Sequence, residues 1–217
     1  MIKKFITLLC FTSSCFLTNV SNAEQLTVAE FSKSDITGWE AKGFQGNTSY
    51  QLVSLDENTV LMAESKDSAS ALIKEIHVNL EETPYLNWRW KIENRLETKD
   101  EKIKSGDDYA VRIYVIVDGG ILPWRTKAVN YVWSHQVTKG ETWPNAFAGK
   151  NAMMMSLRDK QDKTSTWYHE KRNVYEDLKI IFGTEFLFID AIAIMTDTDN
   201  SHGQAKSYYG DIYFSTE

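Results

Sequence analysis

Cysteine is almost missing from this 217-residue chain: the two present, Cys10 and Cys15, both lie near its start. Beyond them there is no thiol for a disulfide framework, a nucleophile or a thiolate metal site. Proline is scarce as well, at three residues. No stretch rich in Pro, Gly or Ser marks a linker between domains. No segment approaches the ~18 consecutive apolar residues of a spanning helix. Basic charge is in deficit, with 24 Lys and Arg against 30 Asp and Glu and a formal charge of −6. Nucleic-acid binding needs a clustered basic surface, so no nucleic-acid partner is expected. The four histidines (His77, His135, His169 and His202) are scattered, with no two at ligand spacing.

The first 23 residues have the layout of a secretory signal peptide. Lys3 and Lys4 are followed by an apolar stretch, Phe5 to Leu17, broken by Thr and Ser, and then by the small-residue site Ser21-Asn22-Ala23. Cleavage near Ala23 removes both cysteines and two lysines, which takes the formal charge to −8. The expected location is the periplasm or the exterior. A lipid anchor on Cys15 is the alternative, but Thr12-Ser13-Ser14 lacks the apolar residue such an anchor needs. Residues 24–217 are enough for a single domain with a good core.

What the chain does have is aromatic rings, with 7 Trp, 10 Tyr and 10 Phe, and apolar patterning of period two. That period signals half-buried strands. In Tyr85–Ile92, Leu86, Trp88, Trp90 and Ile92 face one way and Asn87, Arg89 and Lys91 the other. In Tyr109–Val117, Val111, Ile113, Val115 and Val117 point inward, opposite Arg112 and Tyr114. Val129, Tyr131 and Trp133 alternate next, then Met153, Met155 and Leu157. Shorter strands are expected at Leu26–Phe31, Tyr50–Ser54, Thr59–Glu64 and Ala71–Val78, and longer ones at Phe186–Thr196 and Lys206–Phe214. One short helix is expected near 173–182, with Asn173 as its cap, Glu176 three residues on and Gly183 as its stop. Charge-rich Glu93–Gly106 and Arg158–Lys163 read as solvated loops. The fold class is all-β: a two-sheet antiparallel sandwich.

Motifs for chemistry are few. There is no nucleophile elbow, phosphate loop or dinucleotide fingerprint. His169-Glu170 opens a zinc-protease pattern, but Asn173 stands where the second histidine belongs. Asp197-Thr198-Asp199-Asn200 alternates oxygen ligands, which suits a structural calcium ion held by Asp197 and Asp199. The reading it suits better is a turn whose side chains bond neighbouring amides. Asp107 and Asp108 are adjacent, so on a strand they would diverge and act together only if a turn held them. Arg89 and Arg112 sit mid-strand opposite the core face, and Arg172 precedes the helix cap. With Asp107, Asp108, Asp190 and Asp211 they can line one polar face through fork-to-carboxylate pairs. Trp124, Trp143 and Trp167 fall near loops, either to stack on a sugar ring or to close the sandwich ends.

Several segments together resemble the DUF3047 family of exported bacterial proteins. They are Leu86-Asn87-Trp88-Arg89-Trp90-Lys91, Gly106-Asp107-Asp108-Tyr109-Ala110-Val111-Arg112 and Tyr131-Val132-Trp133-Ser134. Trp167, Glu170-Lys171-Arg172-Asn173-Val174, Ala193 to Asn200 and Tyr208-Tyr209-Gly210-Asp211-Ile212 follow in order. The resemblance implies an exported β-sandwich and no established activity. The closing strand also looks like the last strand of jelly-roll carbohydrate-binding modules, a likeness of fold alone. The reading that results is a non-enzymatic module for a carbohydrate or cell-envelope glycan, or another small polar ligand. Its candidate ligand-binding residues are Arg89, Asp107, Asp108, Arg112, Trp124, Trp167, Glu170, Arg172, Tyr209 and Asp211. One alternative is a glycan hydrolase or lyase using two of the carboxylates. The other is a domain that docks an envelope protein.

Overall fold

The computed structural model describes residues 25–97 and 100–217. The expected leader and the Cys15 anchor lie outside the described residues. Thirteen strands and one helix follow in order: β1 Gln25–Ala29, β2 Glu40–Gln45, β3 Ser49–Leu55, β4 Asn58–Lys66, β5 Ala69–Asn79, β6 Tyr85–Ile92 and β7 Arg112–Val117. Then come β8 Lys127–Trp133, β9 Thr142–Asn145, β10 Gly149–Arg158, β11 Tyr168–Asn173, α1 Val174–Phe182, β12 Phe188–Asp197 and β13 Gln204–Ser215. Among the described residues no helix is long and apolar enough to cross a membrane.

Two sheets result. One has the order β11-β6-β13-β4-β3, with β1 pairing the far end of β13. The other has the order β2-β5-β12-β7-β8-β10-β9. Every pairing is antiparallel except β8 with β10. That parallel pair needs a crossover, which the chain between Trp133 and Gly149 supplies. It folds back as β9 and then turns into β10 where Asn145 Oδ1 accepts from the amides of Phe147 and Ala148.

The alternation read in the sequence packs the core. Leu86, Trp88, Trp90 and Ile92 of β6 meet Ile113 and Val115 of β7, Val129, Tyr131 and Trp133 of β8, and Ile192 and Ile194 of β12. Trp88 stacks on Tyr131 at 5.4 Å and meets Trp90 edge-on at 5.4 Å, geometries that aromatic pairs favour. The expected helix forms as α1. Asn173 Oδ1 accepts from Glu176 N at 3.1 Å, and Gly183, at φ +67°, ends it by donating to Lys179 O. The helix plugs one end of the sandwich, where Asp177 accepts from the hydroxyl of fully buried Tyr131 at 2.7 Å and from Arg172 Nε at 2.9 Å.

Both charge-rich loops differ from their solvated reading. In Glu93–Gly106, Leu96 and Gly106 are buried and Glu101 is fully so. The Glu101 carboxylate accepts from Ser134 Oγ and from His135 N. In the second loop Asp159 is buried, accepting from Lys139 N and Gln161 N, and Arg158 pairs with Glu170 and Asp162. Composition cannot separate a solvated charge from one fastened to backbone amides.

Candidate functional site

The outward residues of β7 and β12 build the main site. Strand alternation that sends Ile113 and Val115 into the core sends Arg112 and Tyr114 to the opposite face of the seven-stranded sheet. On neighbouring β12, Met195 and Asp197 share that face, with Met195 the register partner of Arg112. A cleft of about 380 Å³ opens there. Arg112 and Asp197 form part of its wall, Asn145 and Phe147 of the β9–β10 turn another part, and Phe44 and Gln45 of β2 a third. Phe44 is 61% exposed and Phe147 57%, with Lys42 Nζ 5.8 Å from the first ring and Lys104 Nζ 5.1 Å from the second.

Arg112, by contrast, is only 4% exposed. Its Nη2 donates to Asp197 Oδ2 at 2.5 Å and to Met195 Sδ at 3.2 Å, and its Nη1 is 3.8 Å from Asp107 Oδ2. The guanidinium also lies 5.3 Å from the rings of both Tyr109 and Tyr114. Burial lowers its pKa, but Asp197, Tyr114 and Asp107 more than reverse this, leaving it above the ordinary arginine value. Burial pushes the Asp197 carboxyl well up, against the pull of Arg112, and Asp108 and Asp107 add to the rise. Asp107 is raised by burial, with Arg112 and Asn145 opposing. Asp199 is raised by burial and by Asp108.

Asp107 and Asp108 follow a turn, and their carboxylates take different partners. The short 3-10 helix Lys104–Gly106 delivers both to the same end of the sheet. Asp107 accepts from Asn145 Nδ2 at 3.0 Å, while Asp108 accepts from the backbone of Asn200 at 3.1 Å and of Ser201 at 2.6 Å. Asp108 therefore pins the loop that follows β12. Ligand oxygens of Asp108, Asp197 and Asp199 fall within 4.8 Å of one another.

The remaining candidates lie elsewhere. Arg89, Glu170 and Asp211 line a second cleft, about 500 Å³, on the outer face of the six-stranded sheet. Trp167 borders the same face, its ring 4.7 Å from the Arg89 guanidinium. Glu170 accepts from Trp90 Nε1 at 3.0 Å and Arg158 Nε at 2.6 Å, and Asp211 accepts from Ser32 N at 2.8 Å. Arg172 is tied to Asp177 beneath α1. Tyr209 is fully buried between the sheets, donating to Met195 O at 2.7 Å. Trp124 is 68% exposed on the β7–β8 loop. The supposed single polar face is thus two faces. Asn145, Phe44 and Phe147 were not singled out in the sequence; a lone Phe in the otherwise polar β2 stretch was the available signal.

The fold is similar to a family 11 carbohydrate-binding module from Clostridium thermocellum, solved with a β-1,3-1,4-mixed-linked tetrasaccharide. The TM-score is 0.50 at 12% identity, over 89% of this chain and 96% of that one. It is equally similar to the family 11 module of the cellulosomal cellulase Lic26A-Cel5E of Clostridium thermocellum, with TM-score 0.50, 12% identity and 89% and 95% coverage. The chain belongs to the DUF3047 family, described as a protein of unknown function, whose model matches residues 37–213. No curated protein matches the sequence.

Proposed function

We propose that this protein is an exported, non-catalytic glycan-binding module and that the cleft on the seven-stranded sheet is its binding site. The observation that carries the reading is the pairing of two exposed rings, Phe44 and Phe147, with convergent polar groups in one concavity. A ring face covers the apolar face of a sugar, while the Asp107 and Asp199 carboxylates and the side-chain carbonyl of Asn200 accept hydrogen bonds from its hydroxyls. Export is proposed on the signal-peptide layout of residues 1–23 alone. A binding role is favoured over hydrolysis because buried Asp108 and Asp197 already accept bonds from Asn200, Ser201, Tyr109 and Arg112. Affinity electrophoresis on mixed-linked β-glucan, xylan and peptidoglycan fragments tests it. Retardation on one of them is expected, weakened about tenfold or more by Phe147→Ala, a loss of ~1.4 kcal/mol or more. No retardation on any of them would overturn the glycan reading.

Calcium at Asp197 and Asp199 is proposed on the closeness of their oxygens to those of Asp108. Arg112 competes for the same role, since its guanidinium already meets Asp197 Oδ2. The expected result is a higher thermal midpoint in millimolar calcium than in chelator, abolished by Asp199→Asn. An identical midpoint in both would leave Arg112 as the cation of this cluster.

A further inference from the structure

The cleft on the six-stranded sheet is built around a cation. Arg89 lies across β13 at Gly210, so closely that a Cβ there would stand 2.5 Å from both Cγ and Nε of the arginine. Any side chain at Gly210 would displace it. On its other side the guanidinium rests on the Trp167 ring, a placement that fixes a planar cation without neutralising it. Among the described residues the Arg89 guanidinium has no hydrogen bond to an acceptor and no carboxylate within ion-pair distance.

Its neighbours extend the pattern. Antiparallel register sets His169 of β11 directly opposite Arg89, and Lys171 opposite Asn87. Arg89, His169 and Lys171 all line the cleft. Of the two acidic residues that line it, Glu170 lies opposite Trp88 in the register and turns its carboxylate inward to Trp90 and Arg158, while Asp211 accepts from Ser32. The Nδ2 of Asn87 is spent on Tyr85 O and Ser215 Oγ, which leaves its carbonyl oxygen for a hydroxyl. On a chain whose formal charge is −6, this face sets the Arg89 and Lys171 cations beside Asp211, an amide and the Tyr213 phenol, with Lys171 Nζ 4.7 Å from the Tyr85 ring.

The geometry points to a second binding site, independent of the first cleft, that takes an acidic glycan. A sugar carboxylate pairs with the Arg89 fork and with Lys171 while the sugar hydroxyls reach Asn87 and Tyr213. The planar fork matches a carboxylate in two-point geometry.

Affinity electrophoresis of the purified chain on polygalacturonate and alginate tests this, with methyl-esterified polygalacturonate and polyglutamate as controls. The expected result is retardation on the polyuronates, weaker with added salt and absent on both controls. Arg89→Ala and Lys171→Ala should each weaken it tenfold or more with an unchanged thermal midpoint. Gly210→Ala, which leaves every charge in place, should weaken it as much by moving Arg89. Phe147→Ala should leave it intact, which separates this site from the first cleft. Equal retardation on polyglutamate would reduce the face to general attraction of anions and overturn the proposal. So would no retardation on either polyuronate, or full binding by the Arg89 variant.

Discussion

Replacing Arg112 with methionine is expected to destabilise the fold by about 3–5 kcal/mol, the usual cost of leaving a buried partner charge uncompensated. For a domain of this size that is a fall in thermal midpoint of roughly 6–20 °C. The reason is the crowding at its end of the sheet. With the guanidinium gone, fully buried Asp197 loses its 2.5 Å partner and faces Asp107 and Asp108 with no cation between them. The loss should depend on pH in a definite sense. Removing Arg112 raises the folded-state pKa of Asp197 still further above its unfolded value. The folded variant then keeps a proton that the unfolded chain releases, so its stability falls as pH rises above the ordinary aspartate range. Arg112→Met should therefore be milder at pH 5 than at pH 8. Adding Asp197→Asn should recover part of the loss, because the pair couples directly. Urea unfolding of both variants at the two pH values checks each point. A loss under 1 kcal/mol would show that Arg112 does not hold the site together.

Glu101→Gln is expected to gain stability relative to the native chain as pH rises from 5 to 8. Burial pushes the Glu101 pKa up to about 7, although Ser134 and the amides of His135 and Gln136 oppose the rise. Between the unfolded value of 4.5 and about 7 the folded protein holds a proton that the unfolded chain has lost. Its contribution therefore weakens through that window as pH increases, by on the order of 3 kcal/mol in full. Glutamine is neutral throughout and removes that slope. At pH 5 it stands in for a protonated glutamate, and at pH 8 it replaces a buried charge. Paired denaturant curves at pH 5 and 8 measure the difference. A slope of the opposite sign would mean that the three donors outweigh burial.

The strands that carry the core were legible because alternation decides which face is buried. β6 runs over Tyr85–Ile92 in both sequence and structure, and Arg112 and Tyr114 lie opposite the core as read. Three strands were not seen. β2 (Glu-Ala-Lys-Gly-Phe-Gln) is exposed along its whole length at a sheet edge, so no inward residue betrays its period. β9 is only four residues long and contains Pro144. β11 carries His169, Glu170, Lys171 and Arg172 in a row, and its apolar content lies in its neighbours. The candidate residues were half legible: residue type pointed to arginine and aspartate. Sequence spacing could not say that Arg89 and Arg112 belong to different sheets. Nor could it show that Glu170 and Asp211 are occupied by Arg158 and Ser32, partners that only folding brings near.

The place of β13 has a kinetic consequence. This last strand lies in the interior of its sheet, with β6 along one side and β4 and β1 sharing the other. Gln25, near the start of the described chain, pairs with Ser215 at its end. The six-stranded sheet cannot be completed before β13 is made, because β13 joins its parts. Pairings so distant in sequence also close slowly, since the entropy of a long loop is lost before the contacts that offset it form. The edges of β1, β4 and β6 that pair with β13 therefore stay open until β13 has been made.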